Sequence, residues 1–118
     1  MRPKKWEVWV ANLNPQLGTE QGKTRPVVVV QTDLLNECHP STIICPITTN
    51  VESKSDILRV HLADDEGGLN QKSDILVDQI RAIDNCRFIK KIGIIYAPSR
   101  QKLINNIGIL LDINQFIL

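Results

Sequence analysis

Residues 17–30 read LGTEQGKTRPVVVV, a polar loop that runs directly into an Arg-Pro pair and four consecutive valines. A continuous β-branched run of this kind is typical of a strand that is buried on both faces of a sheet. Pro26 agrees with this prediction, because proline is tolerated near the start of a strand. Gly18 and Gly22 mark the preceding segment as a loop. The stretch therefore predicts a central strand that begins at Arg25, directly after a glycine-containing loop.

The segments on either side also carry strand patterns, with alternating or β-branched residues bounded by turn residues. We expect strands at residues 6–13, 25–32, 42–50, 57–63 and 87–97, and one or two strands in residues 74–83 with a bend near Asp78 or Gln79. Pro46 predicts a bulge or an unpaired position within the third strand. Residues 33–41 are expected to form an irregular connector or a short helical turn.

The last third of the chain changes period. Apolar residues recur there at helical spacing, namely Leu103, Ile104, Ile107, Leu110 and Leu111. Pro98 suits a first helical turn and Ser99 suits a capping position, which predicts a helix from about residue 98 to about residue 112. Many antiparallel strands followed by one helix predict an α+β, mainly β fold. Its expected form is a small barrel-like antiparallel sheet with the helix packed on it.

The composition limits the class of protein. The chain has 118 residues, of which 42% are hydrophobic, so residues 1–118 are expected to form a single domain with a core of its own. A net charge of +1 excludes a uniformly basic nucleic-acid coat protein but permits a local basic face. No apolar run resembles a secretory signal or a membrane span. Three cysteines without CxxC spacing predict free thiols in a reducing cytoplasm rather than disulfides or a zinc site.

The side chains that most often act in catalysis give weak indications here. His39 and His61 would suit acid–base work on a phosphodiester, but surface or half-buried histidines with unremarkable partners are the favoured interpretation. Cys45 lies in an apolar run and is expected to be a small core residue, and Cys38 beside a histidine carries little weight as a nucleophile. The acidic residues 64–66 fit either a divalent cation site or, more commonly, a charged turn.

The loop before Arg25 offers a stronger candidate site. Gln21 carries both a donor and an acceptor for a base edge, and Lys23 is a point charge for a phosphate. Arg25 is a rigid fork for two phosphate oxygens, and its position at the start of a buried strand would hold its guanidinium in place. The alternative is a surface arginine paired with Glu20. Spacing alone leaves that alternative somewhat favoured.

A second candidate lies in residues 47–50, at the end of the third strand. Thr48 and Thr49 are expected to point to opposite faces, so that one hydroxyl reaches a phosphate while the other stays outside. The same residues are also ordinary turn chemistry.

Three blocks of the chain resemble the MazF/PemK (Kid) family, the toxin components of type II toxin–antitoxin pairs. GTEQGKTRPVVVVQTD at 18–33 is very similar to the loop-and-strand signature of that family. PSTIICPITTN at 40–50 resembles its second motif, and DILVDQIRAID at 74–84 resembles its third. The resemblance covers essentially the whole chain. It implies an SH3-like β barrel of the CcdB/MazF type with a C-terminal helix, working as a homodimer.

The roles of individual residues follow from the same resemblance. It implies a metal-independent endoribonuclease that needs no cofactor and cuts single-stranded RNA at short sequence motifs. The catalytic pair of the family maps to Arg25 and Thr48, and Glu20 is an alternative base. The residues expected to bind or orient RNA are Thr19, Gln21, Lys23, Thr49 and Gln79.

The resemblance also implies partners and leaves two competing functions. The expected partners are single-stranded RNA and a small acidic or partly disordered antitoxin. Local positive charge is expected to line the RNA groove, from Arg2, Lys4, Lys5, Lys23 and Arg25. The strongest competing function is that of the CcdB branch, which shares the fold, lacks the Arg-Pro loop signature and poisons DNA gyrase by binding it. The second is that of a chain that binds RNA or an antitoxin without cutting.

Overall fold

The computed structural model describes residues 2–113. In this part of the chain the elements are, in order, β1 (Glu7–Asn12), β2 (Thr24–Val29), α1 (Asp33–Asn36), β3 (Ser41–Thr48), β4 (Arg59–Leu62), β5 (Ser73–Leu76), β6 (Arg81–Asp84), β7 (Phe88–Ile94) and α2 (Ala97–Leu110). Short 3₁₀ turns join some of them, at Glu66–Gly68, Val77–Gln79 and Asn85–Arg87. The prediction of a mainly β fold with a C-terminal helix is confirmed, and so is the short helical turn after β2.

The strands form one antiparallel sheet in the order β4-β5-β3-β2-β1-β7, and β6 pairs with β3. β3 changes partner along its length, because Ser41–Ile44 pair with β6 whereas Ile47 and Thr48 pair with β5. Pro46 lies between these two pairings and is opposite Val27 of β2, so the predicted unpaired position is found on one side of the strand only. The sheet is open at β4 and β7, which is consistent with the barrel-like architecture expected from the sequence.

β2 lies at the centre of the sheet and is buried on both faces, as its valine run predicts. Val27, Val28 and Val29 are all fully buried. One face packs against α2 in a cluster that includes Val8, Val28, Cys45, Ile47, Val60, Ile75 and Leu103. The other face contributes to a second cluster, formed by Trp9, Ala11, Leu13, Val27, Val29, Ile44, Ile83 and Phe88. The two clusters fix the position of β2 on both of its faces. They therefore also fix the backbone of the residues at the start of the strand.

Some element bounds differ from the sequence prediction. β2 ends at Val29 rather than at residue 32, and the side chain of Gln31 hydrogen-bonds to Asn36 and to the carbonyl oxygen of Ser41. β4 is restricted to Arg59–Leu62, whereas the sequence predicts a strand at residues 57–63. Ile57 and Leu58 lie before the strand and are exposed. The bend expected near Asp78 or Gln79 is confirmed, since a 3₁₀ turn separates β5 from β6.

The start of α2 corrects one prediction. Tyr96, not Ser99, is the N-cap residue, and its backbone N–H donates to Oε2 of Glu66 at 2.8 Å. Ser99 lies inside the first turn of the helix, together with Pro98. A carboxylate from a turn thirty residues away therefore holds the backbone of the N-cap residue, and no side chain of residues 2–113 caps the first turn. Among the helices of residues 2–113, none combines the length and the apolar character needed to cross a lipid bilayer.

Candidate active site

The loop between β1 and β2 is closed at its base by two hydrogen bonds. The N–H of Leu13 donates to the carbonyl oxygen of Lys23 at 2.8 Å, and the N–H of Lys23 donates to Oδ1 of Asn14 at 2.8 Å. Lys23 itself has a φ of +66°, in the left-handed region that non-glycine residues seldom adopt. This closure defines where β2 begins, and so it defines the backbone position of Arg25.

Arg25 is half-buried and only partly engaged. Its Nε donates to the carbonyl oxygen of Gly22 at 2.9 Å, and its two terminal nitrogens make no hydrogen bond to any residue in 2–113. Within residues 2–113, the one side-chain nitrogen or oxygen that is both buried and without a hydrogen-bond partner is Nη1 of Arg81. The terminal nitrogens of Arg25 are therefore exposed to solvent. No ion pair within residues 2–113 joins Arg25 to Glu20. The alternative of a surface Arg25–Glu20 pair is therefore wrong, and the guanidinium is free to bind an anion.

Thr48 and Arg25 lie beyond the end of the pairing of β3 with β2. The last pair is Val27 opposite Pro46, and each of the two residues lies two positions further along its own strand. A step of two residues along a strand returns the side chain to the same face of the sheet. Oγ1 of Thr48 accepts the N–H of Asn50 at 3.1 Å, which leaves its own O–H proton free for donation.

Arg25 and Thr48 share a cavity of about 360 Å³, named here the cationic cavity. It is lined by Lys23, Thr24, Arg25, Pro26, Ile47, Thr48, Thr49, Leu69, Asn70, Gln71 and Ser73. Among the residues that the structure describes, its lining holds two cations and no carboxylate, so it favours an anion. Thr49 lines it too, and the expectation that one of the two threonines stays outside is wrong. β3 ends at Thr48, and the alternation of side chains ends with the strand.

A second cavity of about 260 Å³, named here the mixed cavity, collects the predicted glutamines. Its lining is Gln21, Glu52, Ser55, Leu58, Arg59, Leu76, Asp78 and Gln79. Gln21 and Lys23 are separated by a single residue, so the end of the loop lies between the two cavities. Thr19 and Glu20 line neither of them: Thr19 is exposed, and the N–H of Glu20 closes a turn onto the carbonyl oxygen of Leu17.

The basic residues expected to line one groove are not gathered together. Lys23 and Arg25 line the cationic cavity, whereas Arg2 and Lys4 line a separate one, and Lys5 lies over the ring of Trp6 at 4.8 Å. The antiparallel pairing of β1 with β2 explains this separation. Residues 2–5 precede β1, so they lie beside the end of β2, whereas Arg25 lies at its start.

A cluster that the sequence analysis missed lies next to Thr48. Asp74 is register partner both of Thr48 and of His61, and it is fully buried. Its Oδ1 is 2.7 Å from Nδ1 of His61, and its Oδ2 accepts from Nη1 of Arg59 at 3.0 Å and from the N–H of Glu52 at 2.8 Å. The expectation that His61 has unremarkable partners is wrong. A carboxylate within a buried strand requires partners, and Asp74 in the sequence SDILV is the signal that could have revealed them.

The family model for PemK-like, MazF-like toxins of type II toxin–antitoxin systems matches residues 4–111. The chain belongs to this family. Endoribonuclease MazF of Staphylococcus epidermidis is 31% identical over 113 residues, covering 96% of this chain and 94% of the relative. Endoribonuclease EndoA of Bacillus subtilis (strain 168) is 37% identical over 89 residues, covering 75% and 77%.

Solved structures of the family share the fold. The crystal structure of MazF from Deinococcus radiodurans superposes with a TM-score of 0.81 at 25% identity, and the match covers 95% of this chain and 98% of that one. The fold expected from the sequence, a CcdB/MazF-like sheet with a C-terminal helix, is therefore confirmed.

The remaining catalytic candidates have structural roles or no joint site in this PemK/MazF-like toxin. Burial raises the pKa of the Cys45 thiol to about 12, with a smaller contribution from Asp78. The side chains of Cys38 and His39 form no hydrogen bond with each other within the described chain. Sγ of Cys38 donates to the carbonyl oxygen of Leu35, and Nδ1 of His39 is 2.9 Å from the carbonyl oxygen of Ser41. In residues 2–113 no group of three or more His, Cys, Asp or Glu side chains forms a metal-binding cluster.

The Asp74 carboxylate predicts how the stability of this toxin depends on pH. Burial raises its pKa, but the N–H of Glu52, His61 and Arg59 together lower it below the ordinary value. A lowered pKa contributes stability above the unfolded value of about 4, and this contribution is lost as the pH falls through the folded value. The free energy of unfolding of the wild type should fall as the pH is lowered from 6 to 3. We expect a smaller fall for Asp74→Asn, because asparagine does not titrate. Urea titrations of both proteins measure this, and parallel curves would contradict it.

Proposed function

We propose that this chain is an endoribonuclease toxin that cuts single-stranded RNA without a metal ion and so inhibits translation. The observation that carries the proposal is the pairing of Arg25 and Thr48 in one cavity lined by cations and lacking carboxylates. Membership of the family and the names of the relatives, both called endoribonucleases, support the same reaction. No observation favours the gyrase-binding alternative.

The proposed chemistry uses the nucleophile that RNA itself carries. The 2′-hydroxyl oxygen bonds to the adjacent phosphorus as the bond from phosphorus to the 5′ oxygen breaks, leaving a 2′,3′-cyclic phosphate and a 5′-hydroxyl. The terminal nitrogens of Arg25 bind the non-bridging oxygens as their negative charge grows, and the O–H of Thr48 donates to the same group. Lys23 attracts the phosphate into the cavity. Positioning, charge stabilisation and proton transfer together lower this barrier without a metal ion.

Two proton transfers accompany this reaction. The 2′-hydroxyl must lose a proton and the 5′ oxygen must gain one, and Glu20 was expected as an alternative base. Glu20 neither lines the cationic cavity nor pairs with Arg25 within the described chain. We therefore assign Glu20, with Thr19, to holding RNA along the outside of the loop, and Gln21 and Gln79 to contacts in the mixed cavity.

The experiment that tests the function is incubation of purified protein with a long unstructured RNA in EDTA. We expect cuts at one short motif, with a cyclic phosphate on one product and a 5′-hydroxyl on the other. End-group analysis distinguishes these ends from the 3′-hydroxyl and 5′-phosphate left by many metal-dependent nucleases. Intact RNA, from a protein that still arrests growth when expressed, would contradict the proposal. It would favour a toxin that acts by binding another target.

Partners and location follow from the proposed role. We propose a homodimer that is neutralised by a small acidic or partly disordered antitoxin, in keeping with the toxin–antitoxin description of the family. A cytoplasmic location suits an mRNA substrate, and it suits the three cysteines, all of which are free thiols.

Salt dependence provides a quantitative check on the role of Lys23. Each phosphate contact to single-stranded RNA contributes about 0.7 to the slope of log K against log salt. We expect Lys23→Gln to flatten this slope by about that amount and to weaken binding of all sequences alike. Binding titrations at several salt concentrations measure the slope. An unchanged slope would show that Lys23 makes no phosphate contact.

A further inference from the structure

The mixed cavity differs in charge from the cationic cavity beside it. Two carboxylates, Glu52 and Asp78, share its lining with one cation, Arg59. Carboxylates repel a phosphate, so the backbone of RNA belongs in the cationic cavity and the mixed cavity suits an uncharged ligand. Its volume of about 260 Å³ has room for a single nucleobase.

Arg59 is held in this cavity by one edge of its guanidinium only. Nη1 makes both of its hydrogen bonds, to the carbonyl oxygen of Asn50 at 2.9 Å and to Oδ2 of Asp74 at 3.0 Å. Nε and Nη2 make no hydrogen bond to the described residues. Neither is a buried unpaired atom, so both are accessible. Arg59 therefore presents two adjacent N–H donors whose orientation is already set by a fully buried carboxylate.

The carboxylates of the cavity are also available to a ligand. Within residues 2–113, neither Glu52 nor Asp78 has an ion pair, and the side-chain oxygens of both are without hydrogen bonds. A carboxylate accepts two parallel donors from one partner. The cavity therefore offers a donor pair from Arg59, acceptor pairs from Glu52 and Asp78, and the adaptable amides of Gln21 and Gln79.

Guanine matches this set better than the other three bases. It has an acceptor pair at N7 and O6 for an arginine fork, and a donor pair at N1 and N2 for a carboxylate. Cytosine has an acceptor pair but a single amino group, uracil has no amino group, and adenine places an amino group beside N7, where an arginine fork needs an acceptor. We propose that Arg59, positioned by Asp74, selects a guanine in the mixed cavity next to the scissile phosphate. This inference rests on the proposed function, since it takes RNA as the ligand.

The experiment measures binding, and so it does not depend on cleavage. Wild-type protein is titrated into short labelled uracil-rich strands with 2′-deoxyriboses, which supply no attacking hydroxyl. We expect one guanine in place of a central uracil to tighten binding about 10-fold. Replacing that guanine by 7-deazaguanine removes the N7 acceptor, and replacing it by inosine removes the N2 donor. Each replacement should lose part of the gain.

Variants separate base reading from general damage. Arg59→Lys keeps the charge but loses the fork, so the guanine preference should disappear while the affinity for the all-uracil strand changes less than about twofold. Asp74→Asn should reduce the preference in the same way, because it releases the edge that orients Arg59. Arg100→Lys makes the same substitution on α2, away from both cavities, and should keep the preference.

Equal binding of all four bases, a preference for another base, or no binding to any strand would each overturn the inference. The proposed function has its own readout in the EDTA digest. Cleavage of RNA at sites without guanine would support the nuclease activity and contradict the selection of guanine.

Discussion

Arg25→Ala should reduce the rate of RNA cleavage by about 10²–10³-fold, the usual cost of losing one donor to the charge of a transition state. The two terminal nitrogens of Arg25 are unoccupied in the cationic cavity, so the substitution removes a binding group without breaking an ion pair. The thermal midpoint should change little, because the side chain is half-buried and makes one hydrogen bond, to Gly22. Single-turnover cleavage of a defined RNA measures the effect.

Two controls make this result specific. Lys102→Ala removes one positive charge from an exposed position on α2 and should leave the cleavage rate within about twofold, since surface charges outside the site act weakly. Arg25→Lys keeps the charge and loses the fork, so it should fall between the wild type and Arg25→Ala. An Arg25→Ala protein that cleaves at the wild-type rate would remove Arg25 from the mechanism.

Gly68→Ala should destabilise the fold by about 4 kcal/mol or more, at the upper end of single-residue effects. Gly68 has a φ of +76°, and a Cβ there would overlap the backbone carbonyl of Ile92 in β7. The turn has little room to relax, because the carboxylate of Glu66 is bonded to the N–H of Tyr96 and the backbone of Gly67 packs on Gly93. Urea unfolding measures the loss, and an insoluble variant would agree with it.

Gly18→Ala is the matched control. Gly18 also has a positive φ, +57°, but a Cβ there would meet no atom within 4 Å. The left-handed conformation alone costs about 1–2 kcal/mol. The difference between the two variants therefore isolates the backbone overlap at Gly68. Equal losses would show that the turn shifts away from β7 at little cost.

The sequence predicts the layout of this fold well because its main determinants are local. The valine run of β2 identifies a strand that is buried on both faces. The helical period around Leu103 identifies α2 but not its buried side, because Ile104 and Leu111 are exposed whereas Asn106 is buried. Element ends are less predictable, because they depend on partners that are distant along the chain. The N-cap of α2 is an example, since the carboxylate that bonds to the N–H of Tyr96 comes from a turn thirty residues earlier.

The candidate site also contains residues that the sequence could reveal and residues that it could not. Arg25 and Thr48 could be proposed from the motifs of the family, and the structure places both in the lining of the cationic cavity. The cluster of Asp74, Arg59 and His61 could not, because it depends on the pairing of β4 with β5 and on hydrogen bonds from the segment before β4. A buried aspartate is visible in the sequence, but its partners are not.

The open sheet has a consequence for how the protein behaves at high concentration. An outer strand with unpaired N–H and carbonyl groups is a template on which other chains can add, and long, flat, apolar edges start fibrils. β4 ends the sheet on one side and is only four residues long. β7 ends it on the other side and carries the exposed Lys90, which opposes strand addition by charge, next to Lys91, whose Nζ pairs with Glu7. We therefore expect the chain to stay dispersed under conditions in which an unprotected sheet of this size would form aggregates.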